Sequence, residues 1–409
     1  MRRVCNYFSF LLLNYCAFPD NDRVIVGRTH AKNEFEVIHQ WHFLNYTWPT
    51  SLTYNYAFNN IHYIPENNAP TGIKIYGGKI FLSIPRFRPG IPATLAYVSM
   101  IDGGTRTNEL LQPYPNWELN INRNCEALQS VQSMEIDRQG YMWVIDGVRI
   151  NEETQCPAKL LILDLKNHGR MVHRHIFPNE IALAKGGFLN DLVLDDVGGG
   201  YAYITDNSAI DPGLIVYSLK KDRSWKLRDP RMFAEPQAAD FIVNGIPTTN
   251  LSPIDGIALS PSRHNKEKEL FFCALTGLNL YSIDTSVLRN ESMSRSDQWR
   301  KRINLIGQKE SQSDGLIIDS SGNLYYTLLP LNGIGRWNIK TPIATSEIIF
   351  KNDKTMIWPD TFAMDEKGYL YVISNNINQF INPNFKVVIT DEVKFRIFRY
   401  FTGTKSYMY

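Results

Sequence analysis

Four aspartates, Asp191, Asp255, Asp314 and Asp360, recur at comparable places along this 409-residue chain. Carboxyl groups brought together can hold a cationic amine or act as a general base on an acidic C–H, because neighbouring acids split one another's pKa values. The local alternative is that each aspartate starts a strand and caps a turn through backbone N–H groups. Arg86 and Arg88 lie in a stretch rich in Pro and Arg (residues 84–95). Arg86 could grip a substrate carboxylate with its planar fork, or sit in a surface ion pair. Trp143 and Trp358 offer faces to an indole ring or a cation, and otherwise belong to a core.

His173 and His175 alternate along one strand, with His168 nearby, but no carboxylate or Cys completes a metal-ligand spacing, so no metal is expected. The chain carries no G-x-S-x-G, P-loop or dinucleotide fingerprint, and no cofactor is expected. Gly198-Gly199-Gly200 reads as a hairpin turn, not a phosphate cradle.

The elements that position the acids are hairpins. In the stretch 358–375 (WPDTFAMDEKGYLYVISN) an apolar run meets the turn Asp365-Glu366-Lys367-Gly368, then Tyr369-Leu370-Tyr371-Val372-Ile373 returns. Gly supplies the turn, and the β-branched and aromatic residues suit a pleated surface. Five further copies start near Gly72, Gln132, Asp191, Asp255 and Asp314, so one column of the repeat holds Gly72, Gln132, Asp191, Asp255, Asp314 and Asp360. The copies recur every 46–64 residues, and several strands per unit at that period predict a six-bladed β-propeller. The innermost strand of each blade lines a central channel, so the acids should ring one mouth. The early strand near residues 36–46 should pair with the late strand Phe395-Arg396-Ile397-Phe398 and close the ring, which removes free edges. Residues 111–117 carry two prolines and cannot be helical, so they should cap or cross a blade edge. Residues 286–302 are the most helix-like insertion.

With 43 basic and 41 acidic residues the net charge is +2 and no basic stripe stands out, so nucleic acid is not an expected partner. Met1-Arg2-Arg3 and the short apolar run to Ala17 read as a secretory signal, too short to span a bilayer. Residues 18–34 follow as a linker, 35–402 as the propeller and 403–409 as a C-terminal tail. No later segment is long and apolar enough to cross a membrane. Cys125 and Cys156 flank the second hairpin, either as a disulfide closing a loop of about 30 residues or as two buried thiols. Cys273 lies among apolar residues and reads as core. Sequons at Asn45, Asn250 and Asn290 would carry glycans in a secreted protein.

Several segments together resemble the Yellow/major royal jelly protein family of insects. They are Glu36-Val37-Ile38-His39-Gln40-Trp41, Pro85-Arg86, Gly90-Ile91-Pro92-Ala93-Thr94-Leu95, residues 111–117 (LQPYPNW), Ile136-Asp137 with Trp143-Val144 and Asp146, Gly213-Leu214-Ile215-Val216-Tyr217, and Asp255-Gly256-Ile257-Ala258. The likeness runs from about residue 35 to 400. It implies a secreted six-bladed propeller and the Cys125–Cys156 bridge. It also implies one of three roles: dopachrome conversion in melanin and cuticle pigmentation, capture of biogenic amines in the channel, or a structural or nutritive part. The family's amine site uses a Thr and an Asn of the last blade, matched here by Thr361 and Asn375. Ile377 stands where the amine binders are expected to carry an aromatic.

The expected partner is therefore a small aromatic molecule, a catechol, indole or biogenic amine. Asp314 and Asp360 would be the catalytic acids and bases, with Arg86 orienting a substrate carboxylate. Asp191, Asp255, Trp358, Thr361 and Asn375 would line the ligand site.

Overall fold

The computed structural model describes residues 34–150, 154–248, 251–262, 266–382 and 385–409. The signal segment 1–17, nearly all of the linker and Asn250 lie outside the described residues. Six antiparallel sheets follow one another around a ring, a six-bladed β-propeller. The innermost strands are Ile73–Tyr76, Val131–Ile136, Leu189–Asp195, Ile254–Leu259, Leu316–Ile318 and Pro359–Met364. Each touches the innermost strand of its neighbours. From each, the chain steps outward through hairpins. In the third blade Tyr201–Asp206, Gly213–Ser218 and Arg223–Leu227 follow in order.

The turns repeat one device. Asp137, Asp319 and Asp365 each accept two backbone N–H bonds from the turn through Oδ1, at 2.8–3.0 Å. The other oxygen accepts from an aromatic six residues on: Trp143 Nε1 at 3.1 Å, Tyr325 Oη at 3.3 Å and Tyr371 Oη at 2.8 Å. Gly140, Gly322 and Gly368 take φ of 86–91° three residues after each Asp, a conformation that favours glycine. These aspartates are turn staples, set apart from the acidic column at the opposite end of the same strands.

Blades pack face to face. Val193, Tyr203 and Val216 of the third blade share a buried cluster with Ile257, Phe272 and Ile283 of the fourth. Each such side chain contributes about 1.5–3 kcal/mol when removed from water. The ring closes as expected. Strand Glu36–Trp41 pairs antiparallel with Phe395–Phe401, Glu36 opposite Arg399 and Trp41 opposite Phe395, and forms an outer strand of the sixth blade.

The expected blade-edge segment supplies Gln112–Pro113, which pairs with Leu95–Ser99 as the fourth strand of the first blade. The expected helical insertion forms Thr285–Arg289, Glu291–Ser294 and the 3₁₀ turn Asp297–Arg302. Several elements had no counterpart in the sequence, two of them prominent. One is a nine-residue helix, Ser51–Asn59. The other is a hairpin, Phe241–Val243 with Ile246–Thr248, between the third and fourth blades. Residues 403–409 fold back onto the hairpin turns. Ser320 N donates to Lys405 O and Tyr407 N to Ile318 O, while Leu194 N donates to Tyr407 Oη.

Cys125 and Cys156 are bridged, with Cα atoms 5.2 Å apart, and Cys273 is a buried free thiol. Loop closure of this length contributes roughly 3–4 kcal/mol in the chain-entropy picture. No helix among the described residues is long and apolar enough to cross a membrane.

Candidate functional site

The acidic column converges. Asp191, Asp255 and Asp360 stand near the start of their innermost strands and Asp314 just before its own, and all four are at least nine-tenths buried. Glycines let the strands approach. A Cβ at Gly256 would lie 2.3 Å from Asp314 O, and one at Gly315 would lie 2.3 Å from Asp360 O. The Asp-Gly pairs therefore allow neighbouring blades to crowd where the carboxyls meet.

Asp255 and Asp314 are hydrogen-bonded to one another. Burial and the Asp314 charge push Asp255 far up, so Asp255 holds the proton and donates it. Asp314 is pushed up to about 6 by burial, held down in part by the bonds it accepts from Asp255 and Trp358. Trp358 Nε1 donates to Asp314 Oδ2 at 2.8 Å. The indole reaches back one blade because Trp358 sits at φ +48°, left-handed and uncommon for a bulky residue. Asp255 Oδ2 also accepts from Asn207 Nδ2 at 2.7 Å.

Asp360 anchors the last blade's share. Its Oδ1 accepts from Thr361 Oγ1 at 2.7 Å and its Oδ2 from Asn375 Nδ2 at 2.6 Å, while Asn375 Nδ2 also reaches Pro70 O. Burial first, then the Asp314 charge, push Asp360 well above the usual carboxylate range. Asp191 is raised by burial and accepts from Ser133 Oγ at 2.8 Å. Gln132, the amide of the column, keeps a buried Oε1 that makes no hydrogen bond.

Deeper along the channel Lys74 Nζ donates to Phe362 O at 3.1 Å and lies 3.5 Å from Glu135 Oε2. Glu135 is raised by burial despite that ammonium. The Lys74 ammonium acts on Glu135 and Asp191, while burial and the Asp314 charge push Asp255 and Asp360 up and keep them protonated. A buried acid held neutral beside one that ionises near pH 6 gives the site a donor and a base together. The inserted hairpin covers the acidic mouth. Phe241 packs on Trp358 with ring centres 6.2 Å apart, and Val243 O accepts from Asn378 Nδ2.

Other expected residues fall elsewhere. Arg86 is a correction: its guanidinium is buried and donates to the carbonyls of Ile91, Pro92, Asn120, Leu128 and Gln129, so it pins loops together and has no fork left for a substrate. Arg88 is likewise bonded to carbonyls of Gln379, Phe380, Asn382 and Phe385. Trp143 serves the turn at Asp137. His173 and His175 lie on an outer strand and bond Asp222, Tyr217 and Ser224. Asn45 Oδ1 accepts from Tyr46 N and Trp48 Nε1, and the exposed Asn290 caps the helix Glu291–Ser294.

The comparisons with known proteins cover most of the chain. The family model described as Major royal jelly protein matches residues 129–404. The chain belongs to this family. Among curated relatives, the dopaminechrome tautomerase of Drosophila melanogaster is 26% identical over 390 residues, covering 90% of this chain and 82% of that protein. The protein yellow of Drosophila erecta is 26% identical over 370 residues, covering 87% and 67%. Among solved structures, the Agrobacterium tumefaciens protein titled regucalcin aligns with a TM-score of 0.48 at 10% identity, covering 83% of this chain and 91% of that one. Virginiamycin B lyase from Staphylococcus aureus gives 0.44 at 13%, covering 90% and 99%.

In this major royal jelly family propeller, Thr361 and Asn375 are joined through Asp360 rather than facing the channel as independent donors. The sequence reading missed Lys74, Glu135, Ser133 and Asn207. Their signal was weak: Lys74 is one charged residue in the short strand Ile73–Tyr76, Ser133 and Glu135 lie in Val131–Ile136, which is buried end to end, and Asn207 follows the strand Tyr201–Asp206. A charged residue in such a strand needs a partner, and that was the available clue.

Proposed function

We propose that this propeller isomerises an aminochrome, a catecholamine-derived indoline quinone, to a dihydroxyindole within its channel. The observation that carries the reading is the Asp255–Asp314 carboxyl pair, with Asp314 ionising near pH 6 beside acids held neutral. The 26% identity to a dopaminechrome tautomerase supports the substrate class. Ionised Asp314 removes a proton from ring carbon, the electron pair moves through the conjugated system, and a neutral acid of the ring, Asp255 or Asp360, returns a proton to quinone oxygen. A second transfer at the adjacent ring carbon, with the carboxyl roles exchanged, completes the dihydroxyindole: two C–H bonds break and two O–H bonds form in all, so substrate and product are isomers and the conversion calls for no cofactor. A substrate without a carboxylate suits a site where Arg86 is already spent on backbone carbonyls. The Cys125–Cys156 bridge supports an oxidising, extracellular setting. The signal segment and the sequons at Asn45, Asn250 and Asn290 belong to the same reading, as does a role in pigmentation.

The test follows dopaminechrome absorbance with purified protein against heat-killed and Asp314→Asn controls. Decay faster than the heat-killed control and lost in the variant is expected. Equal decay in all three sinks the enzymatic reading. A second reading, capture of an amine without turnover, draws on the buried Gln132 Oε1 that lacks a donor, in a ring of acids. Calorimetry with serotonin and dopamine on the same sample separates it: saturable heat without turnover favours capture.

A further inference from the structure

We infer that the hairpin-turn end of the channel holds a second small-molecule site, for an uncharged flat ring compound carrying one hydroxyl or carbonyl group. A cavity of about 450 Å³ opens there, at the far end of the strands from the acidic ring. Its volume lies within the range of small-molecule pockets. Its walls include Tyr76, Met100, Met364 and Tyr409, and Lys74 and Glu135 reach it from within. Both of these charged residues are more than nine-tenths buried.

The lining selects the ligand. Thioethers and phenol rings pack well on a flat ring. Lys74 and Glu135 present one positive and one negative group 3.5 Å apart, so together they favour neither a cation nor an anion. The Lys74 ammonium has three protons, of which one is spent on Phe362 O and one is shared with Glu135. The third can bond a ligand oxygen. The polar turn acids nearby, Asp137 and Asp365, are already engaged by backbone N–H groups and aromatic donors.

The two ends are separate compartments. Met364 ends the strand whose second residue is Asp360, and four residues of strand span roughly 13 Å. The space between them narrows to a void of about 10 Å³ bounded by Lys74, Glu135, Asp191 and Tyr407, far too small for a ring. Residues 403–409 supply the outer wall. Tyr409 Oη donates to Glu366 Oε1 at 2.9 Å, and its ring lies 5.5 Å from the Arg138 guanidinium and 5.2 Å from Lys405 Nζ.

The inference does not depend on turnover at the acidic ring. The test titrates the full-length protein with 2-naphthol, followed by calorimetry and by naphthol fluorescence. Saturable one-to-one binding is expected. Met364→Trp, which fills the cavity, should weaken it at least tenfold, while Asn375→Ala at the other mouth should leave it within twofold. Should Met364→Trp fail to fold by circular dichroism, Tyr409→Ala removes the outer wall instead and should weaken binding about tenfold. No saturable binding overturns the inference. So does binding lost in Asn375→Ala but kept in Met364→Trp or Tyr409→Ala.

Discussion

Asp255 donates a hydrogen bond to Asp314 across the boundary between the fourth and fifth blades. The pair shares one proton because two charges this close and this buried cannot both ionise. Trp358 adds a second donor to Asp314 from the sixth blade. Three blades thus determine the ionisation of one carboxyl.

The first prediction concerns rate against pH. With Asp314 as base, kcat/KM for dopaminechrome should rise with pH and level off above about 6. Asp314→Asn keeps an acceptor for Trp358 but cannot take the proton, so the rate should fall about 10²–10⁴-fold. A profile flat between pH 5 and 7 would place the base elsewhere.

The second concerns stability. The folded pKa of Asp314 is raised above its ordinary 3.8, so the folded state binds its proton more tightly than the unfolded state does. That contribution favours folding below pH 3.8 and is withdrawn as pH rises to about 6. Asp314→Asn should therefore stabilise the protein at pH 7 by about 3 kcal/mol or less, at 1.36 kcal/mol per pKa unit. The gain should fade toward pH 4. Urea unfolding at both pH values measures it, and a gain larger at pH 4 than at pH 7 would contradict the sign.

Arg86→Lys separates a structural arginine from a substrate clamp. An ammonium has three protons and cannot serve the five carbonyls of Ile91, Pro92, Asn120, Leu128 and Gln129 at once, and buried acceptors left unpaired are costly. The expected loss is roughly 2–4 kcal/mol by denaturation, with KM for dopaminechrome unchanged in the folded protein. A raised KM at unchanged stability would restore the clamp.

Gly315→Ala tests the crowding that brings the acids together. The new Cβ would lie 2.3 Å from Asp360 O, which is backbone and cannot swing away. A cost of about 1–3 kcal/mol is expected, as for other overpacked sites. Gly103→Ala, where the added methyl meets open space, should stay within about 0.5 kcal/mol and serves as the control in thermal melts.

Much of the ring was legible because its turns are local. Asp365 and Gly368 sit three residues apart, and that spacing, repeated at Asp137 with Gly140 and Asp319 with Gly322, encodes the hairpin without help from elsewhere. The acidic column was legible for the same reason. What each acid bonds was not, since Asp314 meets a partner 44 residues away and Asp191 one 58 residues away. Arg86 was misread because its carbonyl partners lie as far as 43 residues along the chain and carbonyls leave no trace in residue type. The helix Ser51–Asn59 escaped notice because its only buried residue is Ala57, so it carries no apolar stripe. Its capping box closes on Thr50 and Thr53 rather than on a Glu or Gln. Residues 403–409 read as a tail because a short segment that docks across several blades has no period of its own.

The pairing of Glu36–Trp41 with Phe395–Phe401 sets an order of events on the ribosome. The first of these strands emerges roughly 20–70 s before the second, at typical synthesis rates. For that interval the early strand waits without its partner, and the first and fifth blades lack the sixth between them. An unpaired strand is a template for a neighbouring nascent chain as much as for its own. Crowding of polysomes should therefore trap this protein as strand-exchanged multimers more readily than any pressure applied to the finished ring.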